Sequence, residues 1–310
     1  MKIIVLGAAG FIGTNLALEL VNDSKIELTL VDEKIEYFNS KIKEKEDIKL
    51  VESKLYMDTN FDELVAGQDV VYHLFSSVVP TTSNQHIEQE INSNVISTIR
   101  LLDACVRNSI KNIIFISSGG TVYGKKVQCP IKEDSATDPI NSYGIQKLMI
   151  EKLLQLYNHL YGIDYRIVRL SNPYGPYQRP NGVLGAVTTF TYKALNNDLI
   201  TIYGNGDVVR DYIYIEDAIA AILKVANGEC EYKIFNIGSG VGISLNQLIG
   251  VIKKTLNTNA DVRYTESRKS DVPVNYLDVS RFESCYGTIS STSLEEGIIK
   301  TANYLRKCRY

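Results

Sequence analysis

The 310-residue chain lacks a strong excess of charge, because its 33 basic and 36 acidic side chains nearly cancel and leave a formal net charge of -3. Binding of nucleic acid through phosphate neutralisation needs a basic surface, so no nucleic-acid partner is expected. Only 7 prolines and 21 glycines are present, which excludes collagen-like and disordered compositions. The 45% of hydrophobic residues is enough to bury a sizeable core.

Long hydrophobic runs are also absent. No apolar stretch approaches the roughly 20 residues that a helix needs to cross a bilayer, so no membrane association is expected. The N-terminal segment MKIIVLGAAGFIG has one lysine followed by glycines and no cleavage-type tail, which argues against a signal peptide. The five cysteines are far apart and form no CxxC pair, so we predict no metal site and a reduced, cytoplasmic compartment.

The first half of the sequence alternates short β-branched runs with longer helical stretches. Strands are predicted at 2–6, 27–31, 69–75, 112–117 and 165–170, and helices at 11–22, 91–107 and 142–160. Such alternation is typical of parallel strands joined by right-handed crossovers, with helices on both faces of the sheet. We therefore predict an α/β fold with a doubly wound parallel sheet of the Rossmann type.

After Ser171 the sequence becomes richer in proline and glycine, which indicates a smaller, mostly C-terminal lobe. Helices are expected there at 186–195, 212–225 and 245–256, and a glycine-rich stretch at 235–242. The predicted division assigns 1–171 to the Rossmann domain, with a later return around 211–238. Residues 172–210 and 239–310 form the predicted substrate lobe.

Three glycines lie between the first predicted strand and the first predicted helix, in the segment GAAGFIG. Glycine permits a tight turn, close approach of the backbone to a pyrophosphate and close packing of helix on sheet, and the helix N-terminus then faces the phosphates. A glycine triplet alone also occurs in ordinary strand–helix turns. Its position and flanking elements favour a dinucleotide site formed by Gly7, Gly10, Phe11, Ile12 and Gly13.

Asp32 ends the second predicted strand, 19 residues after Gly13. An acid at this distance suits the two hydroxyls of an adenosine ribose and would repel a 2′-phosphate. We therefore predict NAD as the cofactor, with a plain strand-end role for Asp32 as the alternative. Lys34 lies close enough to keep NADP open.

Tyr143 and Lys147 are four residues apart, so on a helix they lie on one face, one turn from each other. Free tyrosine, with a pKa near 10, is a poor base at neutral pH. A nearby ammonium and a positive nicotinamide ring both stabilise phenolate and lower that pKa. The pair alone is common as a surface helix pair. It gains weight from residues 115–124 and Pro139, which are similar to the active-site stretch of the extended short-chain dehydrogenase/reductases. That resemblance implies that Tyr143 takes a hydroxyl proton and that Lys147 also holds the nicotinamide ribose.

Together with the GxxGxxG spacing of the loop, these segments resemble the extended short-chain dehydrogenase/reductase superfamily. More narrowly, they are similar to the NAD-dependent nucleotide-sugar epimerases and dehydratases, the family that includes UDP-glucose 4-epimerase. The resemblance extends from Gly7 to about Asp278. It implies a nucleotide-diphosphate-sugar substrate, bound by the predicted lobe, and a homodimer formed by the helices at 91–107 and 142–160.

The family places a serine or threonine hydroxyl four residues before the tyrosine of its VYG motif, and the matching position here is Gly119. Some members with a double glycine carry that hydroxyl one residue earlier, which corresponds to Ser118. The resemblance therefore assigns Ser118 to the sugar hydroxyl or keto oxygen. Thr121 stays open as the replacement, and Ser118 can alternatively satisfy loop backbone groups. Asn94 matches the family's buried asparagine behind the site.

Further matches to the family imply contacts with the nucleotide sugar. Asn172 lies in a stretch similar to the family's RxxNxxG, and Arg210 lies in its GxGxxxRDxxxxxD pattern. The resemblance assigns Arg210 and Arg268 to the diphosphate, whose oxygens fit a guanidinium fork, although either could be a surface ion pair. At the position of Asn275, hexose-specific members can carry a bulky aromatic. The smaller asparagine indicates room for an N-acetylhexosamine.

The resemblance predicts an NAD-dependent 4-epimerase of a nucleotide-diphosphate sugar, UDP-glucose/UDP-galactose or the N-acetyl forms, acting through a transient 4-keto sugar. The first alternative is an NAD(P)H-dependent reductase of a 4-keto-6-deoxy nucleotide-sugar. A 4,6-dehydratase is disfavoured, because Gly119 and Gly120 stand where the family's dehydratases carry an Asp-Glu pair. A non-catalytic NAD-binding protein is the alternative from another class, and Tyr143 with Lys147 argues against it.

Overall fold

The computed structural model describes residues 1–45, 47–77, 80, 83–125, 127–180, 185–267, 272–289 and 292–308. The strands are β1 (Lys2–Leu6), β2 (Glu27–Asp32), β3 (Ile48–Glu52), β4 (Val70–His73), β5 (Asn112–Ser118), β6 (Asp164–Leu170), β7 (Asn172–Tyr174), β8 (Ile200–Tyr203), β9 (Val209–Tyr214), β10 (Ile234–Ile237), β11 (Gly242–Ser244), β12 (Val262–Thr265) and β13 (Val274–Asn275). The α-helices are α1 (Phe11–Leu20), α2 (Ser40–Lys43), α3 (Phe61–Val65), α4 (Ile87–Ile91), α5 (Ser97–Arg107), α6 (Ser142–Tyr161), α7 (Ala186–Asn196), α8 (Ile215–Asn227), α9 (Leu245–Leu256), α10 (Ser280–Tyr286) and α11 (Leu294–Lys307). A 3₁₀ turn spans Ile35–Tyr37, and a π-helical turn, Asn92–Ile96, joins α4 to α5.

Seven strands form one sheet in the order β10-β6-β5-β4-β1-β2-β3. β1 pairs in parallel with both β2 and β4, and the pairings β2–β3 and β4–β5 are also parallel. The predicted doubly wound α/β fold is therefore confirmed. In such sheets ligands bind beyond the carboxyl ends of the strands where the order reverses, which here is the end of β1 and β4.

The central strands carry apolar residues at consecutive positions because both faces of the sheet are covered. In β1 every residue after Lys2 is buried, and all of β4 is buried. Ile4, Val71 and Phe115 belong to one hydrophobic cluster with the helices of this sheet. The rigid strand ends that result can hold polar side chains in fixed positions.

The chain divides into two compact units. Unit 1 comprises 1–117, 141–168 and 231–234, and unit 2 comprises 118–140, 169–230 and 235–310. These bounds differ from the predicted division, because residues 118–140 and 211–230 lie in unit 2. Within that unit, Asn236 Nδ2 donates to the carbonyl oxygen of Ile131, and Arg169 donates to that of Glu133, which ties 118–140 to it.

A four-stranded sheet in unit 2 has the order β11-β9-β13, with β7 also paired to β9. β8 and β12 pair separately. The helix predicted at 212–225 begins only at Ile215, because residues 209–214 form β9; this prediction was wrong at its start. The apolar residues 212–215 continue without a break from strand into helix, and a short apolar run does not distinguish the two. The glycine-rich stretch at 235–242 likewise contains most of β10.

The cysteines include one pair that the sequence did not reveal. Cys230 and Cys285, 55 residues apart in the chain, are joined by a disulfide with a Cα–Cα distance of 6.2 Å. Cys105, Cys129 and Cys308 are free thiols. Sequence spacing alone cannot identify partners at this separation. Over the described ranges, no helix is both long enough and apolar enough to span a membrane.

Candidate active site

The glycine-rich loop after β1 leaves no room for a side chain at Gly7 or Gly13. Gly7 has φ +88°, and a Cβ added there would lie 2.8 Å from the Phe75 nitrogen. A Cβ at Gly13 would lie 2.4 Å from the Gly7 carbonyl oxygen. The loop is fixed to the sheet because the Gly7 and Ala8 amides donate to the Val31 carbonyl oxygen at 2.9 and 3.1 Å. Glycine at positions 7 and 13 is therefore required by the packing.

The N-terminus of α1 is open to an anion. Gly10 is its N-cap, and no described side chain caps the helix there. The first turn also has no acidic residue, so no carboxylate of that turn neutralises the positive end of the helix dipole or occupies its backbone amides. A pyrophosphate fits these donors. Phe11 and Ile12, in that first turn, are half-buried.

Asp32, at the end of β2, holds the same loop. Its Oδ2 accepts the Ala9 amide at 2.8 Å, and its Oδ1 accepts the Glu33 amide at 2.8 Å. Each carboxylate oxygen can accept a further hydrogen bond, and the residue is only half-buried, so ribose hydroxyls can still bind. Lys34 is exposed and its ammonium lies 3.5 Å from Glu36. The residues of this loop and strand thus fit NAD.

Tyr143 and Lys147 lie on one face of α6, as predicted. The helix begins where it does because the Asn141 side chain caps it, accepting the Gly144 amide at 2.8 Å. Lys147 Nζ lies 5.6 Å from the centroid of the Tyr143 ring and donates to the Ile116 carbonyl oxygen at 2.8 Å. The ammonium is therefore bound to the carboxyl end of β5.

Burial dominates the electrostatics of Lys147, whose side chain is only 6% exposed. Burial lowers the pKa of the ammonium to about 8, and the charge of Glu151 opposes this shift. The Phe115 ring, 4.7 Å from Nζ, offers a cation–π contact. His73, at the end of β4, is also buried, and burial together with the Lys147 charge holds its pKa well below the usual range. Its Nε2 lies 2.7 Å from Thr98 Oγ1.

A buried polar network supports the start of α6, and sequence reasoning found only one of its members, Asn94. Ser142 Oγ donates to Glu90 at 2.7 Å, and Gln146 Nε2 donates to the same carboxylate at 3.1 Å. Asn94 Nδ2 donates to Gln146 Oε1 at 2.7 Å, and Asn94 Oδ1 accepts the Ser77 amide at 2.9 Å. No local motif marks Glu90, because its partners Ser142 and Gln146 lie 52 and 56 residues away.

In unit 2, a side chain at Gly119, where the family's hydroxyl is missing, would be crowded by its neighbours. A Cβ at Gly119 would lie 2.6 Å from Leu277 Cδ1 and 3.1 Å from the Arg169 carbonyl oxygen. Ser118 beside it is half-buried. Within the part of the chain that the structure describes, the buried Thr121 Oγ1 has no hydrogen-bond partner. Of the two hydroxyls that the sequence left open, Ser118 adjoins the crowded Gly119, whereas Thr121 adjoins Gly120, where a Cβ would meet only Ser118 Oγ at 3.9 Å.

Three predicted substrate-binding residues come together on the sheet around β9. Asn275 on β13 is paired directly with Arg210, and Asn172 on β7 is paired with Tyr212. Asn172 Nδ2 donates to the Asp211 carbonyl oxygen at 2.8 Å. Arg210 Nη1 donates to the carbonyl oxygens of its neighbours Val209 and Val272 at 2.8 and 2.6 Å. Arg268 lies outside the described residues.

Asn275 is 1% exposed, and its Nδ2 donates to the Gly119 carbonyl oxygen at 3.1 Å. Its Oδ1 is buried and has no partner among the residues that the structure describes. A buried acceptor without a donor is costly, and a ligand N–H or O–H would satisfy it. The Asn275 side chain is thus small, and its Oδ1 can accept a hydrogen bond from a ligand.

Asp211 is a structural residue that sequence reasoning did not single out. Its carboxylate accepts the amides of Ser239, Gly240 and Leu277 and the Ser239 hydroxyl. Burial raises the pKa of this carboxyl, and these hydrogen bonds oppose the shift. The acid next to Arg210 in the predicted pattern was the available signal. The Asp211 carboxylate fixes β9 to the turn that follows β10.

Comparison with known proteins shows to which family the chain belongs. Residues 3–238 match the NAD dependent epimerase/dehydratase family. The chain belongs to this family. The predicted family and the predicted NAD cofactor are thereby confirmed, and the loop and Asp32 described above are the parts of this member that fit NAD.

Individual relatives of the epimerase/dehydratase family cover nearly the whole chain. A dTDP-4-dehydro-6-deoxyglucose reductase of Escherichia coli is 33% identical over 98% of this chain and 97% of its own length. The crystal structure of UDP-glucose 4-epimerase from Thermotoga maritima with UDP-glucose is 31% identical, covers 99% of both chains and has a TM-score of 0.92. UDP-N-acetylglucosamine 4-epimerase from Methanobrevibacter ruminantium, in complex with UDP-N-acetylmuramic acid, is 28% identical, covers 99% and 98%, and has a TM-score of 0.90.

Proposed function

We propose that the protein is an NAD-dependent 4-epimerase of a nucleotide-diphosphate sugar. The observation that carries this proposal is the Lys147 ammonium, fixed by the main chain of β5 at 5.6 Å from the Tyr143 ring. The epimerases among the relatives described above support it, since they share the fold over almost the full length.

Tyr143 is the proton-transferring residue of this proposal. When bound, NAD supplies reversible acceptance of hydride from a sugar carbon. Tyr143 Oη takes the proton of the C4 hydroxyl as that carbon is oxidised to the 4-keto sugar, and returns it after the keto sugar has turned over its other face. The Lys147 charge stabilises the phenolate, and its Nζ also holds the nicotinamide ribose. No net oxidation results.

The residues of unit 2 recognise the nucleotide sugar in this proposal. The Ser118 hydroxyl bonds the C4 oxygen of the sugar, Asn172 contacts the nucleotide sugar, and Arg210 and Arg268 bind the diphosphate. A guanidinium fork matches the spacing of phosphate oxygens. With a net charge of -3, the protein has no general attraction for the doubly charged diphosphate, so local arginines must supply it.

Asn275 supports an N-acetylhexosamine as a sugar that the protein accepts beside glucose. Its buried Oδ1 acceptor has no described partner, and an acetamido N–H is a donor of the right kind. A 2-hydroxyl could also donate to it. Comparison of kcat/KM for UDP-glucose and UDP-N-acetylglucosamine therefore determines which sugar is preferred.

Reduction of a 4-keto-6-deoxy nucleotide-sugar is the second candidate. The E. coli dTDP-4-dehydro-6-deoxyglucose reductase, at 33% identity, favours it. Tyr143 would then donate its proton to the keto oxygen as the carbon is reduced, so the same side chain serves either direction. The two candidates differ in whether external NADH or NADPH is consumed.

The test is incubation of the purified protein with UDP-glucose, UDP-N-acetylglucosamine and dTDP-4-keto-6-deoxyglucose, each with and without NADH or NADPH. Isomer formation without added reductant is the expected result. Strict consumption of reduced cofactor would support the reductase instead. Absence of both, together with absence of bound NAD, would leave a non-catalytic protein.

We also propose that α6 forms a homodimer interface. It exposes an apolar stripe at Ile145, Met149, Leu156 and Leu160, which recur on one face of the helix. Size-exclusion chromatography with light scattering should give a dimer, and Leu156→Lys with Leu160→Lys should give a monomer. A wild-type monomer at micromolar concentration would contradict the interface.

A further inference from the structure

We propose that Glu151 is a positioning residue that keeps the Lys147 ammonium charged beside Tyr143. The consequence for turnover rests on the proposed function. The charge state of Lys147 does not, and it can be measured in the protein without substrate.

Glu151 completes a row of three functional groups along α6. Tyr143, Lys147 and Glu151 follow one another at intervals of four residues, which places them on one helix face. The Glu151 side chain is 0% exposed, and the Ser117 hydroxyl donates to its Oε1 at 2.5 Å. The neighbouring carbonyl, of Ile116, accepts the Lys147 ammonium at 2.8 Å. Successive residues of β5 thus hold the Lys147 ammonium and the Glu151 carboxylate.

The other groups around Lys147 do not provide a counter-charge. His73, from β4, is neutral: the Thr98 hydroxyl donates to the Asn94 carbonyl oxygen at 2.6 Å, so it accepts from His73 Nε2–H. Burial and the nearby ammonium keep the pKa of His73 well below its usual range. Phe115 from β5 offers only its ring face.

Other titratable groups face α6 from the elements around it. On α5, Asp103 Oδ1 accepts the hydroxyl of Tyr157, which lies on α6, at 2.6 Å. On β6, burial first and the charges of Asp164 and Glu151 next raise the pKa of Tyr165, so that phenol stays neutral. The Glu90 carboxylate on α4 accepts hydrogen bonds from Ser142 and Gln146. The carboxylate whose charge acts on Lys147 is that of Glu151.

The energetic argument has two opposing parts. Burial lowers the pKa of Lys147 to about 8, close enough to neutral pH that a further decrease would discharge it. The Glu151 charge raises that pKa and so maintains the ammonium at the pH where the phenolate needs it. Without the carboxylate, the pKa of Lys147 would fall further and the ammonium would be neutral in a larger fraction of molecules at neutral pH, so that Tyr143 would lose part of its electrostatic partner.

The experiment is NMR titration of protein labelled with ¹³C at the lysine side chains. Lys147→Arg identifies the Lys147 resonance by its loss. We expect that resonance to titrate at least about one pH unit lower in Glu151→Gln than in the unsubstituted protein, since one close opposite charge shifts a pKa by about one unit or more. Glu19→Gln, an exposed acid on α1, is the matched control and should leave the titration unchanged.

An unchanged Lys147 titration in folded Glu151→Gln would overturn the proposal. If that variant does not fold, Ser117→Ala serves instead. Loss of the hydroxyl that orients the Glu151 carboxylate should lower the pKa of Lys147 by a smaller amount. An unchanged pKa of Lys147 in Ser117→Ala would overturn the proposal equally. In turnover, the alkaline limit of activity should move with the NMR value in Glu151→Gln, whereas a purely structural role would lower the rate at every pH. Absence of turnover in the unsubstituted protein would refute the proposed function and leave the NMR result intact.

Discussion

The Lys147 ammonium and the Ile116 carbonyl oxygen are joined by a 2.8 Å hydrogen bond between α6 and β5. The bond fixes a long, flexible side chain at one point, with the Tyr143 ring 5.6 Å away. Since the lysine stem is buried, the charge is held in place before any ligand arrives. A positive charge is therefore held beside the Tyr143 ring by the fold itself.

Tyr143→Phe should abolish epimerisation while preserving NAD binding and stability. The substitution removes the proton-transferring oxygen and leaves the ring, so we expect a loss of at least about 10²-fold in kcat. The measurement is isomer formation from UDP-glucose and UDP-N-acetylglucosamine, with bound NAD assayed in the same samples. Tyr161→Phe on the same helix, where the tyrosine is exposed, is the control and should retain full activity. Wild-type turnover in Tyr143→Phe would remove the basis of the mechanism.

Activity should fall on the alkaline side with an apparent pKa near that of Lys147, about 8. Above this pH the ammonium is neutral and no longer stabilises phenolate. The measurement is kcat/KM between pH 6 and 10. Lys147→Arg, whose guanidinium does not titrate in this range, should shift the alkaline limit upward if it retains activity. A limit at the same pH in both proteins would assign it to another group.

The stability of the fold should rise over the same pH range. Lys147 loses its proton near pH 8 in the folded chain and near its ordinary pKa of 10.5 in the unfolded chain. Between these values the unfolded state binds more protons, so the free energy of unfolding increases by up to about 3 kcal/mol from this residue. Below pH 8 the cost of the buried charge is complete. Urea unfolding at pH 7.5 and 9.5 should show the increase in the unsubstituted protein relative to Lys147→Met.

Asp32 should determine the preference for NAD over NADP. Removing its carboxylate in Asp32→Ser should weaken NAD binding by about 10-fold or more, since a hydrogen bond to a charged group contributes about 1.5–3 kcal/mol, and should reduce discrimination against a 2′-phosphate. Calorimetric titration with both cofactors measures this. Asp23→Asn, an exposed acid after α1, is the matched control. Equal NAD affinities in Asp32→Ser and the unsubstituted protein would contradict the assignment.

Local sequence signals predicted the features that a short segment of the chain defines by itself. The glycine loop, Asp32 and the Tyr143–Lys147 pair each depend on one strand, one turn or one helix face. The missed parts depend on distant partners: Asp211 is bound by residues 28 to 66 positions away, and Cys230 pairs with a cysteine 55 positions away. Gly119 shows both limits. Its departure from the family motif was visible in the sequence, but its close approach to the Leu277 side chain, 158 residues away, was not.

Asn275→Tyr should select against N-acetylhexosamines. A larger side chain at this buried position crowds the sugar's C2 substituent, so kcat/KM for UDP-N-acetylglucosamine should fall at least about 10-fold relative to UDP-glucose, consistent with pocket discrimination of a few kcal/mol. Asn275→Ser removes the hydrogen bond to Gly119 without adding bulk and separates the two effects. Equal losses for both sugars in Asn275→Tyr would show general damage to the lobe instead of selection.

Gly13→Ala should lose both stability and NAD affinity, whereas Gly250→Ala should lose neither. Both glycines lie in helices, α1 and α9, and alanine is the better helix former by about 0.5–1 kcal/mol. They differ in space: a Cβ at Gly13 would lie 2.4 Å from the Gly7 carbonyl oxygen and 2.7 Å from Ala8 Cα, whereas nothing lies within 4 Å at Gly250. Because the neighbours of Gly13 are backbone atoms of the glycine loop, α1 must move away from them, at a cost of about 1–3 kcal/mol. The same movement displaces the backbone amides that face the pyrophosphate. NAD affinity and the midpoint of thermal unfolding should therefore fall together in Gly13→Ala. A Gly13→Ala protein as stable as Gly250→Ala would refute the close packing of α1 on the loop.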